Sequence, residues 1–386
     1  MLARPQHLYI QERICCIDMP ASDLMPTFKQ RFLPEAPLES AKETNGEFST
    51  HPDLCLAIRN LVLEEISLDV SRDIDFVQKV AEKIRAEAAI TEICRREHFT
   101  RTAGVDAGEQ QIPLSSRWYS IISALAYSLP EGRCFFAEPK SIKMPYGISD
   151  LKFRSITSVQ RETKLYETAV EFVDKSPDIQ LILVDGPLAM SNWWKVAGRS
   201  IDRMALVSRV NEFLHLCQER EILVAGIVKR PSARYLLYHL GLQEETSLPD
   251  SFVLLQVLRA GERTEVFSPR AALRKVVRSS PFMDAVEFPI HSFYARLSKD
   301  WEIPPIRIDL PAFSLGYVDE IAEYCYATNY LNGIPLAIVK ADEAVRISKN
   351  FLNDVYLEVV SRVGREKGEV SYVAPIWGEG KWMEIR

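Results

Sequence analysis

Residues 179–188, IQLILVDGPL, form a nearly continuous apolar run of strand length that ends in Asp185 and a glycine turn. A run of that kind suits a central strand buried on both faces, so other layers must cover it above and below. It lies between two helical patterns, one from about Ser155 to Lys175 and one from about Arg199 to Arg220. The second leads to another apolar run, ILVAGIVK, followed by SARYLLYHLG with its glycine stop. Strands alternating with helices at this spacing specify an α/β sheet.

The segment before the first of these helices makes that sheet mixed. RTAGVDAG reads as a short strand ending in Asp106 and a glycine turn, and two aromatic, β-branched runs follow, Arg117 to Ser128 and Arg133 to Ile142. The LPEG between them is a hairpin signal. The last third offers HSFYARLS and PPIRIDLP as strands, helices around Val318 to Tyr330 and Ala341 to Val363, and EVSYVAPIWGEGKW as a final strand. The first hundred residues read as a helical N-terminal extension over 1–98, with the main domain over 99–386. Helical patterns run from Asp53 to Ile66 and from Ile74 to Cys94, and Phe76, Val80, Ile84 and Ala88 at spacings of four form an apolar stripe that packs on the core.

At 386 residues, 47% hydrophobic and 26% charged, the chain can bury one sizeable core. No apolar run approaches the roughly 20 residues needed to cross a bilayer, and the N-terminus lacks a secretory apolar region, so a soluble, cytoplasmic protein is expected. Seven cysteines without CxxC spacing suggest neither a zinc site nor a disulfide framework. A net charge of -6 argues against coating nucleic acid by bulk positive charge, but not against a nuclease, which must concentrate carboxylates to bind cations.

Asp106 and Asp185 stand at matching strand-to-turn positions, and in an open α/β sheet the carboxyl ends of neighbouring strands converge on one crevice. Paired carboxylates there bind hard cations such as manganese or magnesium, and two such ions assist phosphodiester cleavage. The competing reading is that each Asp only caps its turn. A third carboxylate comes from the helix TSVQRETKLYETAVEFV, with Glu162 near the sheet-facing stripe and Glu167 beside Lys164 and Glu171; Glu138 is a fourth candidate. Lys229 follows a buried strand where an ammonium can meet a phosphate, and Arg230 and Arg234 extend that contact. His215, on a Leu-rich helix, reads as packed rather than catalytic.

Taken in order, GVDAG, LVDGP, IVKRPSARYLL, LRAGERTEVF, FYARLS with PPIRIDLP, and NGIPLAIVKADEAVRI resemble the NurA family of DNA end-processing nucleases over roughly residues 100 to 350. The resemblance implies an RNase H-like fold, a manganese-dependent nuclease acting on DNA, a homodimer, and a hexameric HerA-type ATPase as partner. It also implies metal-binding roles for Asp106 and Asp185 and a catalytic role for Glu162 or Glu167. Where the family commonly has a GYP segment followed by an Ala-His pair, this chain has Gly333, Ile334, Pro335 and then Ala341, Asp342. Asp342 thus stands in the histidine's place, either as an oxygen ligand or as a helix N-terminal residue. Two alternatives remain: a scaffold that has lost catalysis, and an actin-like ATPase, whose glycine-rich phosphate loops are not evident among 16 glycines.

Overall fold

A computed structural model describes residues 52–114, 117–190, 198–276, 281–330 and 332–373. By internal contacts the chain divides into two units, 1–66 and 67–386. The first contains helix α1 (Pro52–Leu61) and a π-helical turn, Val62–Ile66.

The second unit opens with α2 (Ser67–Glu87) and the short strand β1 (Ile90–Glu92). A meander follows: β2 (Thr102–Pro113), β3 (Trp118–Leu129), β4 (Arg133–Phe136) and β5 (Lys140–Lys143). Then come α3 (Asp150–Lys175), β6 (Leu181–Asp185), α4 (Ser200–Glu219) and β7 (Leu223–Val228). Beyond them are α5 (Tyr235–Leu240), α6 (Asp250–Leu254), β8 (Glu262–Thr264), α7 (Pro269–Arg274) and α8 (Pro281–Ala285). The chain closes with β9 (Ile290–Arg296), β10 (Ile306–Pro311), α9 (Val318–Ala327), α10 (Leu336–Val345) and α11 (Lys349–Lys367).

One mixed sheet runs β1-β8-β9-β10-β7-β6-β2-β3-β4, with β5 also paired to β3. At its centre β2, β6 and β7 are parallel, and antiparallel strands flank them on both sides. The apolar run of β6 divides by alternation. Ile182 and Val184 join the core beneath α2, α3 and α4, whereas Leu181 and Leu183 join the core beneath α9 and α10. That two-sided burial is why the run lacks polar residues.

Helix α10 lies unusually close to β2. A Cβ added at Gly104 would fall 2.1 Å from the Ala337 carbonyl oxygen, and one at Gly108 would fall 3.0 Å from that of Val345. The two glycines are four residues apart and share one face of the strand, so together they form a groove that seats the helix backbone.

Several local expectations change. The strand bearing Asp106 does not stop there: β2 continues to Pro113, because all twelve of its residues pair with β3. Its second half, GEQQIP, is polar and hides that continuation from periodicity. Helix α3 begins at Asp150, five residues before the expected start, since the Ser149 hydroxyl accepts from the Lys152 N–H. The expected helix from Ala341 to Val363 is two helices, broken where Ser348 caps α11. In the expected stripe Val80, Ile84 and Ala88 are buried, joined by Val77 and Ala81, whereas Phe76 is exposed. The pattern through Cys94 ends at Glu87, and residues 67–98 fall in the larger unit, with β1 antiparallel to β8. Of the expected final strand, Ser371–Val373 form a short 3-10 turn and 374–386 lie outside the described residues.

Gly104→Ala tests the groove. Its methyl would overlap a backbone carbonyl that has no free rotor to move, so the change should destabilise the protein by about 3 kcal/mol in denaturant melts. A loss below about 0.5 kcal/mol, the scale of an ordinary surface change, would contradict the packing.

Candidate metal centre

The parallel pairing of β2 with β6 ends at Val105 opposite Val184, so the next residues of the two strands, Asp106 and Asp185, emerge side by side. By alternation Asp106 shares the face of Gly104 and Gly108, and Asp185 that of Leu181 and Leu183, which is the α10 side of the sheet. Helix α10 supplies the third carboxylate. One oxygen from each of Asp106, Asp185 and Asp342 lies within 4.8 Å of the others. Asp342 is the seventh residue of a ten-residue helix, which rules out the helix N-terminal role. Asp106 is a mid-strand residue rather than a turn cap, and only Asp185 sits at a true strand end, followed by Gly186 at φ 134.

Lys229, one residue past β7, reaches across the cluster. Its Nζ lies 2.7 Å from Asp185 Oδ2 and 3.1 Å from Asp342 Oδ1. The loop leaving Asp185 is fastened from beneath by a buried ion pair on β10. Asp309 accepts from the Ala189 N–H at 3.0 Å, while Arg307 donates to the Ala189 carbonyl at 3.3 Å and to Asp309. Because Asp309 also accepts from the Ser292 hydroxyl, its lone pairs are well used despite full burial.

The electrostatics show a site short of positive charge. Burial, and next the neighbouring Asp185, push the Asp106 carboxyl from the usual 3.8 up to about 8. Asp185 is also raised by burial, against the opposing pull of Lys229. Burial would lower Lys229, but its two aspartate partners outweigh that and raise it. Three carboxylates against one ammonium leave a net deficit, which favours the protonated form of Asp106. A divalent cation would meet it better, and an all-oxygen donor set suits manganese or magnesium.

The cluster opens into a cleft of about 380 Å³, lined by the β2 segment 106–110, Arg161, Asp185, Asp342 and residues 345–347. Glu162, on α3, is buried and lies near the Asp185 turn, its Oε2 3.9 Å from a Cβ position on Gly186, but it pairs with Arg161 and is not one of the three converging carboxylates. Glu167 points elsewhere, toward Arg209 and Lys164 at 3.8 Å each. Glu138 is exposed in the loop between β4 and β5. Arg234 donates to the carbonyls of Gln243 and Thr246 and so braces its own loop, while Arg230 is exposed beside Lys229. His215 pairs with Glu287 and packs edge-on against Phe288, away from the cleft.

Sequence reasoning missed Glu109, Arg161 and Arg346, which all line the cleft. Glu109 would follow from extending β2 past Asp106, and Arg161 from its position next to Glu162. Nothing local marks Arg346, whose place depends on the break between α10 and α11.

The model of the NurA domain matches residues 100–347, a span that contains all three aspartates and the whole cleft lining. The chain belongs to the NurA family. Its mixed sheet flanked by helices is the fold of solved NurA structures. The NurA nuclease from Sulfolobus solfataricus superimposes with a TM-score of 0.59 at 16% identity, covering 80% of this chain and 97% of that one. A NurA crystal structure with manganese gives 0.52 at 13% identity, covering 79% and 98%. No curated protein matches the sequence. Among the described residues no helix is long and apolar enough to cross a membrane.

A pH dependence follows from the raised Asp106. A carboxyl that holds its proton more tightly when folded favours folding below its unfolded value, and that contribution is lost as pH rises through about 8. Metal-free protein should therefore lose stability between about pH 5 and about pH 8, and manganese should restore more of it at the upper end because the cation displaces the proton. Thermal melts with and without manganese check this, and a manganese shift that shrinks as pH rises would contradict it.

Proposed function

We propose that this chain is a metal-dependent deoxyribonuclease whose divalent ion is held by Asp106, Asp185 and Asp342. The observation that carries the reading is the convergence of three carboxylates at the mouth of a cleft, in a member of the NurA family. One of the similar NurA structures contains manganese, and the oxygen donor set here suits manganese or magnesium.

When bound, the ion supplies charge for the developing oxyanion and lowers the pKa of water for attack on a phosphodiester. The remaining roles belong to side chains. To serve as a ligand Asp106 would give up the proton that its burial favours, and the placement of Asp106 and Asp185 on adjacent strands means that little rearrangement is needed. Asp342 adds a carboxylate where the family commonly has histidine, which favours hard cations. Lys229 holds two of the three carboxylates in position and, once a cation takes over that task, can turn its ammonium to a substrate phosphate. Arg230, exposed next to it, extends the same positive edge.

The alternative of a catalytically dead scaffold predicts a broken carboxylate cluster, and the intact one weighs against it. Nothing in the site favours an ATPase. Family membership supports three further parts of the proposal: DNA ends as substrate, a homodimer, and a HerA-type hexameric ATPase as partner in the cytoplasm. Light scattering of the purified chain, and co-elution with a HerA-type ATPase, test the last two.

Asp106→Ala and Asp185→Ala should each abolish manganese-dependent cleavage of labelled DNA while leaving the fold intact. Ligands of one ion act as a unit, so either single change should cost nearly as much as the double change. Asp342→Asn should weaken manganese binding, and Asp342→His should retain activity. Either alanine variant keeping more than about a tenth of wild-type activity would overturn the assignment.

A further inference from the structure

Positive charge gathers beside the cleft although the chain as a whole is acidic. From Arg117 to Arg161 seven lysines and arginines outnumber three acidic residues, against a net charge of -6 for the whole chain. Helix α3 runs along β2 in the opposite direction and carries part of that charge away from the metal centre. At the cleft, burial raises the Glu109 carboxyl, and Arg161, Thr157 and Arg154 of α3 pull against it. Further along β2, the Gln111 amide donates to the Thr157 hydroxyl at 3.5 Å. At the far end Arg154 lies over the Trp118 ring, 5.7 Å from its centroid, and Trp118 pairs with Pro113. Pro113 is seven residues from Asp106, about 24 Å along an extended strand.

A second ring stands at the same end of β3, also held by an arginine. Arg117 donates to the Tyr146 hydroxyl at 2.7 Å, and its guanidinium carbon lies 4.7 Å from the ring centroid. The loop that carries Tyr146 is tied to the start of β3, because the Met144 N–H donates to the Trp118 carbonyl at 2.9 Å. Tyr146 is nevertheless 85% exposed. One face of the ring is thus taken by the guanidinium and the other is open to water. A ring fixed in this way has already lost much of the freedom that binding would otherwise take from it. Aromatic rings set beside basic side chains are what unpaired nucleotides need, since every base offers a face for stacking and every link a phosphate.

We propose that Tyr146 and Trp118, with Arg117 and Arg154, form a platform that stacks the unpaired bases of a DNA strand whose backbone continues into the cleft. The platform rests on the nuclease reading of the metal centre. It adds a subsite remote from the reacting phosphodiester and a preference there for unpaired over paired DNA, because bases inside a duplex already stack on one another and offer no free face to a ring. Arg154 is exposed and can meet a phosphate, while Arg117 orients Tyr146.

The test separates stacking from charge. The full chain is titrated in chelator, where cleavage cannot proceed, with three fluorescent probes of equal length: a single-stranded oligonucleotide, the same backbone made of abasic sites, and a blunt duplex. Tyr146→Ala and Trp118→Ala should each weaken the single strand about tenfold and leave the abasic strand and the duplex within about twofold of wild type. Tyr146→Phe keeps the ring and should stay near wild type. Arg154→Gln should weaken the single and abasic strands alike and lower the slope of log K against log salt by about 0.7, the value for one phosphate of a single strand. Manganese affinity, followed by electron paramagnetic resonance, should stay within about twofold in all four variants. Unchanged single-strand affinity in both alanine variants would overturn the platform, and so would an equal loss on the abasic strand, which has no bases to stack. A duplex that loses as much as the single strand would overturn the preference for unpaired DNA. If wild type binds none of the probes and cleaves no DNA with manganese, the nuclease reading fails and takes the platform with it, whereas cleavage by wild type with silent alanine variants sinks the platform alone.

Discussion

The backbone of α10 rests directly on the backbone of β2, and the convergence of the three carboxylates depends on that contact. Asp342 lies more than 150 residues beyond Asp185 in the chain, and it reaches Asp106 and Asp185 only because Gly104 and Gly108 admit the helix to a distance that any side chain would forbid. The same two glycines share a strand face with Asp106 between them. A single five-residue stretch, 104–108, therefore sets both where the first carboxylate points and how close the third can come. Close approach also dries the site, and burial is the first cause of the raised carboxyls of Asp106 and Asp185.

The second constraint is the unequal length of the central strands. Strand β6 is five residues long and β2 twelve. Where the shorter one stops, the sheet opens, and the cleft occupies that opening with Asp185 at its lip. Just beyond Asp185, residues 186–190 are held at the edge of the gap, because Arg307 and Asp309 bind both backbone polar groups of Ala189. This buried pair contributes more to geometry than to stability, since the desolvation of two ions offsets much of their attraction. Removing one partner would leave the other buried alone beneath the site.

Much of this was legible in the residues. The apolar run of β6, the strands bearing ILVAGIV and IRIDLP, and the helices between them follow from periodicity, and the matching VDAG and VDGP contexts located two of the three converging aspartates. The order of short motifs pointed to NurA, and the departure at Asp342 led to the third. Three features were hidden for physical reasons. The polar second half of β2 carries no hydrophobic alternation, because its open edge faces the cleft. The break at Ser348 is a cap inside an otherwise helical pattern. Arg161 and Arg346 are ordinary surface-type residues in sequence, and only the tertiary arrangement brings them to the cleft. Glu167 shows the opposite case: its position in a helix rich in carboxylates suggested a site, but α4 brings Arg209 to it instead.

The proposed centre has one divalent ion bridging strands β2 and β6 and helix α10. Diffraction from manganese-soaked crystals, collected at the manganese absorption edge, addresses it without reference to activity. An anomalous peak is expected within coordination distance of carboxylate oxygens from Asp106, Asp185 and Asp342 together, with the Lys229 ammonium displaced from at least one of its two aspartate partners. A peak held by Glu162 without Asp342, or no peak in the cleft at saturating manganese, would contradict it.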